Sequence, residues 1–354
     1  RTLPHAITML VPPAWEKTPE LSPAVRDSYQ YHAAISEPWD GPAALVFTDG
    51  QIVGAALDRN GLRPCRYFVT DDGLIGAASE AGAVPTGSRT IIRKGKLGPG
   101  QLFVVDTARG VYSEDQAVKS ELAARQPYGT WLKQNLRTLK NEQVTSNNEQ
   151  PATPLSIDHS SLLIEQAAFG YTHEELTVVL RPMVENKAEA IGSMGDDTPA
   201  AVLSEKPRPL FGYFRQRFAE VTNPAIDPLR EELVMSLRVR LGSRRNFLAE
   251  TPAHTRLLEL ATPFLTNDEF STLINDPELK AATLSTLIPI DDNMIDLPAA
   301  IAQLCDRAVE AVQAGAQLLV LSDRGVDQSH TFIPALLALG AVHHHLLRAE
   351  ARTQ

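Results

Sequence analysis

Apolar positions in residues 1–115 occur in short runs that predict an antiparallel sheet. The runs are AALVF, QIVGAAL, CRYFVT and LIGAAS, and the turn sequences TDG, DRNGLRP and DDG separate them. Asn-Gly and Asp-Gly accept the positive φ angles of two-residue hairpin turns, so the pattern predicts a meander in which each strand pairs with the next. A helix precedes the sheet, because Ser22 is an N-cap candidate and Pro23 stands at a first-turn position.

The second half of the chain carries a helical pattern instead. Residues 138–157 have few large apolar side chains and many Asn, Gln, Ser, Thr and Pro, which indicates an exposed connection. After it the apolar period changes from two to about 3.6 residues. Thr172 and Glu175 have the spacing of a capping box, and Leu176, Val179 and Leu180 supply one apolar face of the predicted helix.

The last hundred or so residues predict a unit in which a helix is followed by a strand. Pro298 lies near a helix start, Gly315 has the position of a C-terminal stop, and the strand LLVLS follows. This order is typical of a parallel sheet, with Asp323 and Arg324 just beyond the carboxyl end of the strand.

The predicted fold class is therefore α/β, or α+β over the whole chain. An antiparallel sheet occupies residues 1–115, a connection occupies residues 116–157, and an α/β domain with parallel strands occupies residues 158–354. With 354 residues, of which 43% are hydrophobic, the chain is long enough for two domains that each have a core.

Charge and cysteine content exclude several function classes. The 33 Lys and Arg residues against 43 Asp and Glu give a net charge of −10, and no segment concentrates the basic residues, so we expect no nucleic-acid partner. No apolar stretch is long enough to cross a membrane. Cys65 and Cys305 are too few for a disulfide framework, a four-thiolate zinc site or an iron–sulfur cluster, and a cytoplasmic location fits best.

The segment DRNGLRP allows two interpretations. As a site, Arg59 and Arg63 could hold a carboxylate and the Asn60-Gly61 amides could donate to an oxyanion. As structure, Asn60-Gly61 is a hairpin turn in which Asp58 pairs with an arginine. The residue types favour the structural turn, because Asn-Gly is a strong hairpin signal.

Other candidate residues also favour structural roles. No histidine near Cys65 in sequence could activate it, and Cys305 shares the apolar stripe of a helix with Ile301, Leu304 and Val309. Three adjacent imidazoles, His343–His345, cannot all reach one metal ion, so no metal site is predicted.

Two polar segments leave alternatives open. The segment AIGSMGDDTPAAVLSEKP, residues 190–207, could bind a ligand or contact another domain, and it lacks the glycine spacing of nucleotide-binding loops. The segment VTNPAIDPLREELVMS, residues 221–236, has two prolines within five positions, which predicts a stiff, extended path. It is either a rigid surface loop or a channel or interface loop.

These segments, in this order, resemble the large subunit of glutamate synthase. The matching stretches run almost from end to end: EPWDGPAALVFTDG, DRNGLRP, KGKLGPGQLFVVD, QAAFGYT, EAIGSMGDDTPAAVLS, VTNPAIDPLREELVMS, LSDRG and IPALLALGAVHHHL. The resemblance implies the end of a class II glutamine amidotransferase domain followed by most of a central domain. It also implies an oxidoreductase acting on CH–NH2 donors that makes two glutamates from glutamine and 2-oxoglutarate.

The resemblance implies no catalytic residue in this chain. In the family the nucleophilic cysteine, the substrate arginine and the oxyanion Asn-Gly pair lie upstream of the part matched by residue 1, so Asn60-Gly61 is not that pair. The flavin-binding barrel, which holds FMN with an iron–sulfur cluster, and the β-helix domain follow as partners on the same polypeptide. The reductant is NADPH, NADH or ferredoxin, in some cases through a small reductase subunit. This chain is expected to bind no cofactor.

The resemblance also assigns site residues. Ammonia passes through an internal tunnel to the flavin, and the central domain forms part of the tunnel wall. The VTNPAID loop matches the segment near the tunnel, which makes Thr222 and Asn223 wall candidates, and GSMGDDTP, with Ser193 and Asp196, is a candidate domain contact.

Three hypotheses follow, in order of preference. The first is an internal part of a glutamate synthase, inactive alone. The second is a stand-alone scaffold or binding module derived from the central domain, without either active site. The third is an independent cysteine hydrolase that uses Cys65.

Overall fold

The computed structural model describes residues 1–39, 41–139, 159–188, 201–205, 210–214, 236–243, 245–290 and 296–352. The chain divides into two compact units. The first contains Arg1–Leu139 and Ala225–Leu265, and the second contains Lys140–Pro224 and Thr266–Gln354. Within the described ranges, no helix combines the length and the apolar character needed to cross a membrane.

The first unit contains four α-helices and ten strands in its described residues. The helices are α1 Leu3–Leu10, α2 Pro23–Ile35, α3 Asp115–Ala123 and α4 Tyr128–Asn135. The strands are β1 Ala44–Thr48, β2 Ile52–Leu57, β3 Arg66–Thr70, β4 Ile75–Ala78, β5 Ile91–Lys96, β6 Leu102–Asp106, β7 Val111–Glu114, β8 Arg137–Thr138, β9 Val239–Leu241 and β10 Leu258–Leu260.

The predicted start of α2 is confirmed. The Ser22 side chain accepts a hydrogen bond from the backbone N–H of Val25 at 3.4 Å, and Pro23 occupies the first helical turn. Proline stabilises this position because the N–H that it lacks would have no partner inside the helix. The helix buries Tyr29 and Tyr31, which places several aromatic and imidazole rings in the interior of the unit.

The strands of residues 44–114 form two antiparallel sheets, not one meander. Their orders are β1-β2-β6-β7 and β4-β3-β5. The predicted hairpins β1–β2 and β3–β4 are present. The predicted pairing of β2 with β3 is wrong, because β2 pairs with β6 and β3 pairs with β5. Asn60-Gly61 is therefore not a hairpin turn, and the segment between β2 and β3 carries the chain from one sheet to the other.

A second connection explains this crossover. The chain returns from β5 to β6 beside the outgoing segment, and backbone hydrogen bonds join the two connections. The carbonyl of Asp58 accepts from the N–H of Gly61 at 3.0 Å and from that of Gly100 at 2.8 Å. The carbonyl of Cys65 accepts from the N–H of Leu97 at 2.9 Å. The Asn-Gly turn thus closes locally on Asp58, and the Asp58 carbonyl also accepts from the distant segment at Gly100.

The two sheets share an apolar core. The buried members come from both sheets and from the two connections: Ala55, Leu57, Cys65, Leu97 and Phe103. The rings of Tyr67 on β3 and Phe103 on β6 are stacked with centroids 4.5 Å apart. Residues of the opposite face of the first sheet pack against α1 and α3, whereas Val46 on the edge strand β1 stays exposed.

A small third sheet joins distant parts of the first unit. β10 pairs with β8 in parallel and with β9 in antiparallel orientation. Residues 236–260 therefore fold together with the helices and strands that precede residue 139. The described residues of the predicted connection, 116–139, contain most of α3, all of α4 and β8. The domain boundaries expected from the sequence stay a prediction.

The second unit combines helices with a parallel strand pair. Its helices are α5 His159–Ala168, a π-helical segment Glu175–Leu180, α6 Arg181–Asn186, a 3-10 turn Leu210–Tyr213, α7 Asn267–Ile274, α8 Leu297–Gln313 and α9 Ala335–Arg348. Its strands are β11 Ala281–Ser285, β12 Leu287–Pro289, β13 Leu318–Ser322 and β14 His330–Phe332.

The predicted capping box is confirmed. The backbone N–H of Thr172 donates to the Glu175 carboxylate at 2.7 Å, and the N–H of Glu175 donates to the Thr172 hydroxyl at 3.2 Å. The apolar face differs from the prediction, because Val179 is exposed while Leu176 and Leu180 are half-buried. The π-helical winding adds residues to each turn and so changes which positions share a face.

The predicted helix-then-strand unit is confirmed as well. β11 and β13 pair in parallel, and α8 connects them. Gly315, at φ +94°, ends α8, and the N–H of Ala316 reaches the carbonyl of Ala311 at 3.0 Å as in a Schellman motif. Cys305 on α8 is buried in the core of this unit beside Leu304. The α/β fold class, α+β over the whole chain, is thus confirmed.

Candidate functional site

The segment between β2 and β3 uses Asp58 to hold the backbone. Asp58 is buried, and its carboxylate accepts from the N–H of Ala43 at 3.1 Å and from that of Asn60 at 3.0 Å. Gly61 has φ +60°, and a Cβ there would lie 2.9 Å from Cα of Pro99. Arg59 is buried and Arg63 is exposed. These contacts support the structural interpretation of the five residues, which remains a prediction from the sequence.

A buried polar cluster lies elsewhere in the first unit, and four side chains from distant positions form its centre. The Nε2 atoms of His5 on α1 and His32 on α2 are 2.8 Å apart. One guanidinium nitrogen of Arg1 lies 2.9 Å from the first and 3.2 Å from the second. The Glu250 carboxylate is 3.6 Å from Nε2 of His5. We call these four residues the imidazole cluster.

A hydrogen bond to the backbone fixes which nitrogen of the His32 ring carries the proton. Nδ1 of His32 lies 2.6 Å from the carbonyl of Ser28, one turn earlier on α2, so this nitrogen carries the proton and donates. In the neutral ring Nε2 of His32 is then an acceptor, and the Arg1 guanidinium donates to it at 3.2 Å. The i, i+4 spacing of Ser28 and His32 on the helix fixes this tautomer.

Burial keeps both imidazoles neutral. It lowers the pKa of His5 to about 4, where the negative charge of Glu250 opposes the effect and the positive charge of Arg1 adds to it. It lowers the pKa of His32 to about 3, helped by its neighbour His5. The rings therefore act at neutral pH as hydrogen-bonding groups without charge.

Glu250 has two further partners, one neutral and one cationic. The Tyr128 hydroxyl donates to this carboxylate, and Arg125 approaches it at 3.4 Å. Burial acts to raise the pKa of Glu250, but the Tyr128 hydrogen bond and the nearby positive charges outweigh it and hold that pKa below its ordinary value. Glu250 is thus the anion that compensates Arg1 and Arg125.

Aromatic rings enclose the cluster. The ring of Tyr31 lies 4.8 Å from that of Tyr128 and 5.5 Å from that of Trp131, measured between centroids. The Tyr31 hydroxyl donates to the carbonyl of Thr251 at 2.9 Å and accepts from its N–H at 3.0 Å. Desolvation raises the pKa of Tyr31 to about 12. The rings exclude water, which strengthens the ion pairs inside.

The imidazole cluster also contains a set of possible metal ligands. In the described part of the chain, His5, His32 and Glu250 are the group whose ligand atoms lie within 4.8 Å of one another. A bound metal would need the position between the two Nε2 atoms, and the Arg1 guanidinium lies there. The repulsion between that cation and a metal ion disfavours metal binding. The arrangement is an ion-pair and hydrogen-bond network.

The cysteines do not have the environment of nucleophiles. Cys65 is buried between the two sheets, and Cys305 is buried in the second unit. Desolvation raises the pKa of each thiol, which disfavours the reactive thiolate. Two cysteines, one in each unit, also do not fit an iron–sulfur cluster, which usually needs four thiolates.

The remaining predicted site residues fall into two groups. Thr222, Asn223, Ser193 and Asp196 lie outside the described residues. Two of the three histidines of α9 have different polar neighbours: His345 lies 3.9 Å from Asp306, and His343 accepts from Arg352 at 3.2 Å. The rings of His343 and His344 are 5.2 Å apart.

Sequence reasoning missed the imidazole cluster. The one local signal was the i, i+4 spacing of Arg1 with His5 and of Ser28 with His32. Glu250 is more than two hundred positions away, and nothing in its neighbourhood marks it as their partner.

Comparison with known proteins identifies two family segments along the chain. The model of the family described as "Glutamine amidotransferases class-II" matches residues 1–131, and that of "Glutamate synthase central domain" matches residues 164–354. A chloroplastic ferredoxin-dependent glutamate synthase of Oryza sativa is 45% identical over 98% of this chain. The glutamate synthase [NADPH] large chains of Azospirillum brasilense and Bacillus subtilis are 42% and 39% identical over 100% and 99% of it.

The chain therefore belongs to the glutamate synthase central-domain family, with a class II glutamine amidotransferase segment before that domain. It spans 22% of the length of the rice relative and 23% of the Azospirillum relative. Glu250 falls in the central-domain match, whereas Arg1, His5 and His32 fall in the amidotransferase match.

Proposed function

We propose that this chain is the part of a glutamate synthase that fastens the end of the amidotransferase domain to the central domain. One observation carries the proposal. Glu250, from the segment matched as central domain, is the anion of the cluster that contains His5 and His32, from the segment matched as amidotransferase. The third sheet is consistent with it, because β10 pairs with β8 and so joins residues 258–259 of the central-domain match to residues 137–138, which follow the amidotransferase match.

The parent reaction follows from the family. The relatives are glutamate synthases, and we propose the same reaction for the polypeptide that carries this chain: glutamine and 2-oxoglutarate become two glutamates at the expense of a reductant. The nucleophilic cysteine, the substrate arginine and the oxyanion pair would stand upstream of residue 1. The chain would contribute no catalytic residue, in agreement with the buried, high-pKa thiol of Cys65.

The cofactors and partners of that reaction would be held by other domains. FMN and an iron–sulfur cluster would belong to the flavin-binding barrel, and a β-helix domain would complete the polypeptide. The names of the relatives include both ferredoxin-dependent and NADPH enzymes, so either ferredoxin or a nicotinamide-dependent small subunit would supply electrons. We propose a cytoplasmic location on the basis of the two reduced cysteines.

A tunnel wall is the second element of the proposal. Ammonia released by glutaminase chemistry must stay unprotonated to attack a carbonyl, which a closed passage achieves by excluding bulk water. We assign Thr222 and Asn223 to that wall and Ser193 and Asp196 to a neighbouring domain contact. The support is the match of the VTNPAID and GSMGDDTP segments to the family.

The tunnel role can be tested by stoichiometry. In the polypeptide that carries this chain, we expect one glutamine to be hydrolysed for each 2-oxoglutarate consumed. Thr222→Phe should narrow the passage, so glutamine is still hydrolysed while free ammonia accumulates and glutamate formation falls. Thr222→Ser, which keeps the size and the hydroxyl, is the matched control. An unchanged stoichiometry in Thr222→Phe would refute the assignment.

A further inference from the structure

A cavity of about 190 Å³ lies against the second sheet of the first unit, away from the imidazole cluster. Its floor is formed by residues of β3 and β5, and residues of the segment 79–90 close it. The polar and charged side chains in the lining are Arg66, Lys94, Glu80 and Thr86, and the apolar ones include Phe68, Val84 and Ile91.

The register of the strands concentrates positive charge at this floor. Arg66 on β3 lies directly opposite Lys96 on β5, and Phe68 lies directly opposite Lys94. Side chains alternate between the two faces of a strand, and Tyr67 stacks on Phe103 in the core, so Arg66 and Phe68 belong to the outer face. Like charges directly opposite each other on neighbouring strands destabilise a sheet.

Other cations of this sheet and its loops form ion pairs with carboxylates. Arg93, also on β5, forms an ion pair with Glu114, and Arg89 forms one with Asp72 at 2.7 Å. In the described part of the chain, Arg66, Lys94 and Lys96 have no such anionic partner. Glu80 is the one carboxylate among the lining residues, so the two lining cations, Arg66 and Lys94, exceed it by one positive charge. Lys96 adds a further cation opposite Arg66 on the neighbouring strand.

Phe68 gives the floor an apolar surface between the cations. A Cβ placed on Gly76, the β4 residue opposite Phe68, would meet the Phe68 ring at 2.3 Å, so the ring lies across this glycine. Arg66 can hold a carboxylate by two parallel hydrogen bonds, and Lys94 can add a point charge. Phe68, Val84 and Ile91 can cover the methylene groups that carry such a carboxylate.

We propose that this cavity binds a carboxylate-bearing group, held by Arg66 and Lys94 with its aliphatic part against Phe68. The group comes either from a small free dicarboxylate or from an acidic side chain of another part of the same polypeptide. The inference rests on the cavity and its charges, and it does not depend on the proposed function in glutamate synthesis.

Calorimetric titration with glutarate tests the first source. The polypeptide that carries this chain should bind glutarate saturably at low ionic strength, and neutral glutaramide should not bind. Arg66→Gln and Lys94→Gln should each weaken binding by about tenfold or more, as loss of a charge-assisted hydrogen bond predicts. Lys133→Gln, which removes an exposed cation of α4 outside the cavity, should bind as the parent does. Thermal unfolding checks that each variant is folded.

Carbodiimide cross-linking tests the second source. If an acidic side chain fills the cavity, glutarate should not bind, and Lys94 should form an amide with that side chain, which peptide mapping would identify. Arg66→Gln should reduce the yield of this cross-link. The proposal is overturned if neither glutarate binding nor such a cross-link is found, if Lys94 links to Glu80 alone, or if Lys133→Gln changes the result as strongly as Lys94→Gln.

Discussion

The Nε2 atoms of His5 and His32 lie 2.8 Å apart in the interior of the first unit, with the Arg1 guanidinium beside both. Two buried imidazoles at this distance share a hydrogen bond only if at least one nitrogen stays unprotonated. The pair is therefore stable as a neutral pair, and the positive charge beside it opposes protonation of either ring.

We expect the stability of the first unit to fall as the pH falls below about 6.5. The folded rings have pKa values of about 4 for His5 and about 3 for His32, against an ordinary value of 6.5. Between these values the unfolded chain binds protons that the folded chain does not, so acid favours unfolding. The loss at pH 5 should be on the order of 1–2 kcal/mol for each ring.

Tryptophan fluorescence can follow this unfolding selectively, because Trp15, Trp39 and Trp131 all belong to the first unit. Urea titrations at pH 7.5 and pH 5.0 give the free energy of unfolding at each pH. The double variant His5→Gln with His32→Gln should lose most of the difference between the two values. A pH dependence that survives in this variant would show that other groups cause it.

Removal of the anion of the cluster should be costly. Glu250→Gln leaves Arg1 and Arg125 without their half-buried counter-charge and weakens the acceptor of the Tyr128 hydroxyl. We expect a loss of about 1–3 kcal/mol in the free energy of unfolding. The Glu250→Gln substitution should also lower the pKa of His5 further, because the negative charge of Glu250 opposes the lowering in the parent chain.

The matched control for this change is Glu121→Gln. Glu121 is an exposed glutamate on α3 in the same unit. This variant should stay within about 0.5 kcal/mol of the parent, as is usual for surface substitutions. Equal effects of the two variants would show that the contacts of Glu250 do not matter, and the fastening role proposed for it would fail.

Local signals in the sequence predicted several helix ends and missed the long-range pairings. Helix ends depend on residues within a few positions of one another, so the sequence pattern identifies them. The examples are the N-cap at Ser22, the capping box of Thr172 and Glu175, and the C-terminal stop at Gly315. The partners of Asp58 include the N–H of Gly100, and those of His5 include Glu250. Such partners are set by the packing of whole sheets and helices, which no local pattern encodes.

Gly61→Ala should destabilise the first unit more than Gly87→Ala, although both glycines have a left-handed backbone. Gly61 has φ +60° and is pressed against Pro99, where a new Cβ would lie 2.9 Å from the backbone. Gly87 has φ +58°, and a Cβ added there would meet no atom within 4 Å, so Gly87→Ala isolates the cost of the left-handed backbone. That cost is about 1–2 kcal/mol, and overpacking at Gly61 should add about 1–3 kcal/mol.

Equilibrium unfolding of the two glycine variants, followed by fluorescence, measures this difference. If both lose the same free energy, the contact between the two connections does not constrain residue 61, and the crossover would have to be stabilised elsewhere.

The thiol of Cys65 should be nearly unreactive in the folded chain. It is buried between the two sheets, and desolvation raises its pKa, so little thiolate exists at neutral pH. Alkylation by iodoacetamide at pH 8 should therefore be much slower in the folded protein than in urea, and Cys305 provides an internal comparison because it is also buried. In the polypeptide that carries this chain, Cys65→Ala should leave glutamine hydrolysis unchanged and lower the stability slightly. Rapid labelling of folded Cys65, together with loss of hydrolysis in Cys65→Ala, would instead show that Cys65 acts as a nucleophile, as the cysteine-hydrolase hypothesis requires.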